Sequence, residues 1–473
     1  MTWWLLLFAA AVVVFAVWGW RRTSSPQAFF AASRSVGPVL AGLGGTAAGL
    51  SAFVIVGGPG YFAAVGAASL WIILSAPLTG ALQCWAVGER VVSLVHRHGC
   101  LTVPDLVASR FGEGWPRGLT ALAVAVGAIA TLAVQVKGAA IAGEVLLGAP
   151  GWLVAWAAVA ATVVYTAAGG MRTGILAEAA QGLVMAAAAV ALAIFALARA
   201  GGPRQAITTI ADLRPELLNP WGGPGPTAAI GLFLLFALGT CAQPHYLQKF
   251  LLLRDRASLR WLPLVMTGAL LAVLTVWVGV GLGGTALWLR GDLELQSPDQ
   301  LAPVLLASAG SRTFVVIATV AVVAAVMSTA ASLLNLVSAA LTRDLPRALG
   351  LSPSRGLATA RLATVGAGVA AAGLALTSDR PVALLGVLGW GTFTAALLPV
   401  MVVGLGWKRA SRRGAVAALT VGPLVQLGAE WGRSAGALAF RWEPGLLGAA
   451  VGALALVVLS LFDGMITGGE AGS

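Results

Sequence analysis

Charge is scarce in this sequence. Only 10% of its 473 residues are Asp, Glu, Lys or Arg, against roughly 25% in soluble domains, and no polar block is long enough to make a separate soluble domain. With 59% hydrophobic residues, that excludes an ordinary water-soluble fold and leaves a polytopic membrane protein. Cysteine is nearly absent. Cys84, Cys100 and Cys241 provide no disulfide framework; two fall in apolar runs and one in a loop, so all three are expected as free thiols. His96 and His98 stand close together, but no matching cluster of Cys, His or carboxylate accompanies them, and a solvated loop explains them better than half a metal site. The phosphate-cradling pattern G-x-x-x-x-G-K-[ST] is missing, so nucleotide hydrolysis is not the energy source. Nor do acids, bases or metal ligands converge at one depth, as a membrane-embedded enzyme would need.

What the chain does have is long apolar runs from end to end. The first, Trp3 to Trp20, carries Trp at both ends and Arg21-Arg22 after it, with no basic segment before it; it reads as a retained helix with its N-terminus outside, not a signal peptide. Further spans are predicted near 38–65, 68–88, 118–145, 152–168, 175–198, 227–244, 263–288, 314–341, 358–377, 381–406, 414–430 and 443–462, thirteen in all. Alternating sides places about twenty Lys/Arg in cytoplasmic loops and about eight outside, the asymmetry of the positive-inside rule. The net charge of +12 is thus a topology signal and not a nucleic-acid surface. The expected location is the inner cell membrane, with the C-terminus in the cytoplasm. Cys100, in the loop after the third span, should be reached by an impermeant maleimide only from the cytoplasmic side.

Two spans contain helix breakers. Gly42-Leu-Gly-Gly-Thr-Ala-Ala-Gly-Leu-Ser51 lies in the second span, and Gly239-Thr-Cys-Ala-Gln-Pro244 in the seventh, five spans later. Interruptions at corresponding places in two halves point to an inverted repeat with its binding site where the helices unwind. The ninth span holds Ala325-Val-Met-Ser-Thr-Ala-Ala-Ser-Leu-Leu-Asn335. Ala325, Ser328, Ser332 and Asn335 share one helical face, with Thr329 at its edge. That face offers hydroxyl oxygens and no carboxylate, which suits a hard monovalent cation such as Na+. The same small-residue spacing also suits plain helix packing, and chemistry alone does not choose.

Several motifs carry a resemblance. Ser33-Arg-Ser-Val-Gly-Pro38 with Gly57-Gly-Pro-Gly60, Thr102-Val-Pro-Asp-Leu106 with Arg110-Phe111, Gly169-Gly-Met-Arg172 leading to Gln181, Gln243-Pro-His-Tyr-Leu-Gln-Lys-Phe250, and Met327-Ser-Thr329 occur in the order found in the sodium:solute symporter family. The sequence resembles that family from about residue 25 to 410. The resemblance implies an all-α fold of the LeuT type: two inverted five-helix repeats over about 38–406, an extra N-terminal helix at 1–24, two extra C-terminal helices at 412–473, and one transporter domain overall. It also implies a sodium site made by carbonyls of Ala47 and Leu50 in the first core helix, the carbonyl of Ala325, and the hydroxyls of Ser328 and Thr329. The solute would lie beside the breaks, against Thr46, Ser51, Phe53, Phe236 and Thr240. Departures bear on the cargo. Glu178 and Ala331 replace aspartates found in many members, so no more than one Na+ is assigned. Gly49 and Thr240 replace Asp and Tyr of the proline-transporting branch, while Val54 replaces the amide of the sugar-transporting branch. The pocket reads as apolar and small.

Glu178, near the inner end of the sixth span, is a candidate for receiving the departing ion, or a partner for Arg172. Lys137 is the sole lysine inside a predicted span. Its ammonium either reaches the outer interface or Glu144, or faces the outer vestibule and attracts a substrate carboxylate. Thr102 to Asp105 resembles a capping box opening an interfacial helix. Taken together these features imply Na+-coupled symport of a small zwitterionic or anionic organic solute by alternating access, with the ion gradient as energy source. The alternatives are a proton-coupled symporter and a symporter-like sensor module working with a separate signalling partner.

Overall fold

The computed structural model describes Val14 and residues 36–49, 51–223, 225–352, 357–437 and 442–469. Apart from Val14, the predicted first span, Trp3 to Trp20, lies outside the described residues, as does Leu50. What is described is helical; the one strand-like feature is an isolated bridge between Val36 and Leu253.

The first half begins with α1 (Pro38–Gly49), passes a π-turn at Phe53–Gly57 into α2 (Gly58–Val65), and continues through α3 (Leu70–Ile73), α4 (Ala76–Gln83) and α5 (Glu89–His98). A short helix α6 (Val103–Phe111) precedes the long α7 (Trp115–Leu147) and α8 (Gly151–Arg199), and α9 (Pro203–Leu213) closes this half. The second half opens in the same broken manner: α10 (Pro226–Gly239), a tight turn at Thr240–Ala242, then α11 (Pro244–Leu251). It continues with α12 (Leu262–Thr275), α13 (Gly281–Leu289), α14 (Leu301–Ala307), α15 (Arg312–Ala339), α16 (Leu345–Ala348), α17 (Leu357–Thr377) and α18 (Val382–Leu398), followed by α19 (Arg412–Ser434) and α20 (Pro444–Gly469).

Both predicted interruptions are present. α1 stops at Gly49 and the chain bends at Ser51 before helix resumes. Gln243 adopts an extended conformation between the Thr240–Ala242 turn and Pro244, whose missing N–H is no loss at the first position of a helix. Helix runs on through two of the boundaries between predicted spans, yet the chain turns at both. Helix continues from Gly151 to Arg199, giving α8 49 residues, but Gly151–Val164 and Glu178–Arg199 are separate apolar runs that cross in opposite directions: Ala158 and Thr319 line one cavity and Glu178 meets Ser332 further along α15, while Arg199 returns to Ser308, ahead of α15. The run Phe53–His98 likewise turns between the second and third predicted spans, at Gly66, whose φ is +68°. Among the described residues, eight helical runs are long and apolar enough to cross a bilayer, and Gly151–Val164 and Val276–Leu289 are shorter apolar runs.

The core lies where α1, α7, α8 and α15 pack together, with α18 against α7 on the other flank. α15 is the most enclosed: 94% of its apolar window is buried, whereas α20 buries 33%. Lipid-facing surface is apolar, with Trp85, Trp431 and Leu362 at least 70% exposed. Small residues let the outer helices touch. A Cβ on Gly445 of α20 would lie 2.6 Å from Cα of Gly391 in α18, an approach only glycine permits.

Candidate ion and solute site

Residues expected at the ion site meet where α15 crosses the end of α1. Ser328 donates its hydroxyl proton toward the carbonyl of Ala47, 3.3 Å away on α1, and toward that of Ala325, 3.1 Å away on its own helix. Ala47, Ala325, Ser328 and Thr329 are all buried. Four of the five residues expected to form the sodium site are therefore described, and they lie around one junction. Asn335, further along the same face, is buried with its Oδ1 unpartnered.

The residues expected to line the solute site divide. Phe53 stacks on Phe236 at 5.5 Å between ring centroids and meets Trp277 edge-on at 5.4 Å, while Phe236 stacks on Trp390 at 4.8 Å. These rings join the two broken segments across the core, and Ser51 lies buried at the first break. Thr240 is buried at the second, its hydroxyl and carbonyl both accepting from Gln83 Nε2, at 2.5 and 3.1 Å. The side chain of Thr46 lies outside the described set. Lys137 lies on α7 with its ammonium 2.6 Å from each of the carbonyls of Ser378 and Arg380. Two of its three donors thus hold the segment leading into α18. Asp299 grips the same segment by accepting from Val382 N at 2.9 Å, and its burial raises the carboxyl above its ordinary range despite that N–H and the nearby Lys137. The carbonyl contacts replace the pairing with Glu144 that spacing alone suggests.

Glu178 is buried beside the ion face, but the partners resolved for it are ones the sequence did not supply. Lys249 Nζ lies 2.5 Å from its Oε2, and Ser332 donates to its Oε1 at 2.5 Å. Sequence reasoning also missed two amides. Gln135 Oε1 accepts the Ala52 N–H at 2.9 Å just past the first break, and Gln83 fixes Thr240 at the second. An amide inside an apolar span is a detectable signal, since it must find a partner there. At Gly49, an added Cβ would stand 2.4 Å from Tyr246 Oη. Tyr246 fills the space that a side chain at residue 49 would claim.

The capping box is complete. Thr102 Oγ1 accepts from Asp105 N at 3.2 Å, and Asp105 Oδ2 accepts from Thr102 N at 3.2 Å. Asp105 also anchors a charged network that no motif announced: Arg117 lies 2.6 Å from Asp105 and 3.0 Å from Asp344, and Arg343 lies 2.8 and 2.9 Å from the same two carboxylates. Burial alone would raise the Asp105 carboxyl, but Arg343, the Leu101 N–H and Arg117 more than offset it and hold it below its ordinary range. Cys100 is corrected. It is 4% exposed, and burial with the neighbouring Asp105 charge pushes its thiol up, so the loop thiol is shielded and poorly nucleophilic. His96 and His98 are exposed on the last turn of α5. His245 is buried, tilted against Tyr246 at 4.5 Å between centroids, a packing role.

Broken paired helices around an oxygen-lined junction define a secondary transporter of the LeuT type. The chain belongs to the sodium:solute symporter family, whose model matches residues 29–422. Among curated relatives it is 27% identical to the high-affinity proline transporter PutP of Bacillus subtilis (strain 168), over 87% of this chain and 88% of that one. It is 29% identical to the sodium/pantothenate symporter of Escherichia coli (strain K12), over 88% of each chain. Among solved structures, a Na+-coupled sialic acid symporter in a substrate-bound outward-open state shares the fold with a TM-score of 0.80 at 17% identity, covering 97% of this chain and 96% of that one.

Proposed function

We propose that this protein couples the inward movement of Na+ to uptake of a small zwitterionic or anionic organic solute, an amino acid such as proline or a short monocarboxylate. The observation carrying this reading is the Ser328 hydroxyl, which links the Ala47 carbonyl of α1 with the Ala325 carbonyl of α15. Those oxygens, with Thr329 and Leu50, replace part of the hydration shell of Na+ without trapping it. Because the ion joins the broken helix to α15, its binding favours one arrangement of the two bundles. The solute then binds beside the breaks, against Ser51, Phe53 and Phe236, with Thr46 and Thr240 flanking it, and the bundles rock to expose both to the other side. Glu178 stands one step along the path by which the ion would leave. The N-terminus is outside and the C-terminus cytoplasmic in this reading. Proteins that transport proline and pantothenate, both carrying a carboxylate, are among the relatives.

The test is uptake by proteoliposomes under an imposed Na+ gradient, screened over labelled amino and carboxylic acids. Accumulation that collapses when Na+ is equal on both sides supports the reading. Uptake that follows a pH gradient and ignores Na+ overturns it.

A further inference from the structure

A groove on the lipid-facing flank of the bundle has no part in the cycle above. It holds about 680 Å3 and is walled by α4, α10, α18 and α20, together with the π-turns at Cys84–Gly88 and Pro399–Gly404. Its lining is leucine, valine, alanine, proline and tryptophan, with the Cys241 thiol added; among the described residues no charged, hydroxyl or amide side chain takes part in it. Trp85 and Trp442 on its rim are 83% and 43% exposed, so it opens toward hydrocarbon. Along α20 it extends from Leu446 to Ala453, about 10 Å at 1.5 Å per residue.

One end of the groove carries a charge. Arg90, in the first turn of α5, donates through Nη1 to the carbonyls of Ala86 at 2.9 Å and Val402 at 3.3 Å, and both of those residues line the groove. A Cβ on Gly406 would stand 2.6 Å from the same nitrogen, so the guanidinium rests against the backbone that follows the second π-turn. Nε and Nη2 take no part in these bonds. Arg90 is exposed, and among the described residues no carboxylate pairs with it. A second exposed guanidinium, that of Arg256, is bonded to Ser93 one turn further along α5.

An apolar recess of this size, left empty, would forfeit van der Waals contact along its whole lining, and water has no partners in it. Hydrocarbon fills it. Lipid tails are as apolar as leucine, so a tail alone gives little preference for one lipid over another; selection has to come from the head. Free guanidinium N–H groups at the end of a chain-sized groove call for a phosphate, and a second guanidinium nearby favours a head with net negative charge. α5 lies on the side read as cytoplasmic, where the leaflet carries anionic lipids. We propose that the groove is a binding site for an anionic phospholipid, with one acyl chain against α10 and α20 and the phosphate on Arg90. The bound chain would lie behind the second break. Cys241 lines the groove and its thiol donates toward the Leu82 carbonyl at 3.8 Å, and the next residue, Gln83, is the one that holds Thr240.

The experiment places the purified full-length protein in phosphatidylcholine nanodiscs containing a small fraction of phosphatidylglycerol with a diazirine midway along one acyl chain. Cross-linked peptides are then read by mass spectrometry. Adducts should concentrate at 234–241 of α10 and its turn and at 446–453 of α20, and unlabelled phosphatidylglycerol should compete roughly five- to thirtyfold better than phosphatidylethanolamine. Arg90→Gln keeps a donor for the two carbonyls but loses the charge, and should abolish that preference; Arg90→Lys should restore most of it. Ala450→Trp, at an exposed position of the lining, should remove the groove adducts. Equal competition by the two lipids in the wild type overturns the proposal without any variant, as do adducts spread evenly over the exposed face of α17. A groove free of adducts overturns it too. If that preparation is a dimer by light scattering and Ala450→Trp makes it a monomer, the occupant is a second copy of the chain.

Discussion

Ser328→Ala is the sharpest probe of the ion junction, and its magnitude follows from what the hydroxyl does in two states. In the proposed site the hydroxyl oxygen is a Na+ ligand, and losing one charge-assisted contact costs about 1.5–3 kcal/mol. Without Na+, the same hydroxyl donates toward the Ala47 and Ala325 carbonyls at 3.3 and 3.1 Å, long contacts that share one proton and contribute about 0.5–1 kcal/mol. The variant therefore weakens the empty state slightly and the loaded state more. The net loss of affinity is about 1–2 kcal/mol, or roughly five- to thirtyfold in the Na+ concentration giving half-maximal uptake. Thr329→Ala should act in the same direction. The assay is initial uptake rate against external Na+ at saturating solute, in proteoliposomes holding equal amounts of folded protein. Unchanged half-maximal Na+ in both variants, with normal folding, would show that neither hydroxyl touches the ion and that the α1–α15 contact is packing alone.

Three further outcomes follow from the geometry. Lys137→Met removes two carbonyl contacts and should lower thermal stability by about 1–3 kcal/mol while leaving the solute's half-saturation concentration within about twofold; a ten- to hundredfold rise there would instead put the ammonium on the substrate carboxylate. His98→Cys places a thiol on an exposed turn beside the shielded Cys100 and should react with impermeant maleimide only from the cytoplasmic face, labelling in intact right-side-out cells being the result that reverses the orientation. Asp105→Asn leaves Arg117 and Arg343 short of a carboxylate and should cost about 3–5 kcal/mol in thermal unfolding at neutral pH. Because the Asp105 carboxyl sits below its ordinary value of about 3.9, its stabilisation is complete above that pH and is lost as pH falls through the lower folded value. The Asn variant should lack this acid-side slope.

What could be read in advance was whatever a single helix announces by itself. The oxygen face of α15 was visible because 3.6-residue spacing puts Ser328, Ser332 and Asn335 on one side, and the two interruptions because Gly and Pro break helices wherever they stand. What could not be read was which residues meet across helices. Glu178 and Lys249 lie 71 positions apart, and Arg117 and Asp344 lie 227 apart; no periodicity connects them. Lys249 escaped notice for a further reason. Gln243-Pro-His-Tyr-Leu-Gln-Lys-Phe250 is polar enough to read as a loop beyond the end of its span, yet every residue from Pro244 to Leu251 is buried. Its charge is tolerable there only because α8 carries a carboxylate to it, and its removal from water is a property of the assembled bundle. Cys100 errs in the same direction: a basic loop implies solvent, but the cap at Thr102 and the Asp105 network fold that loop inward. In this chain a polar residue near a span end is therefore better tested by asking which buried opposite charge or amide remains unmatched. Gln83 and Gln135 in apolar runs were such unmatched groups, and each marks a contact that holds the broken helices in place.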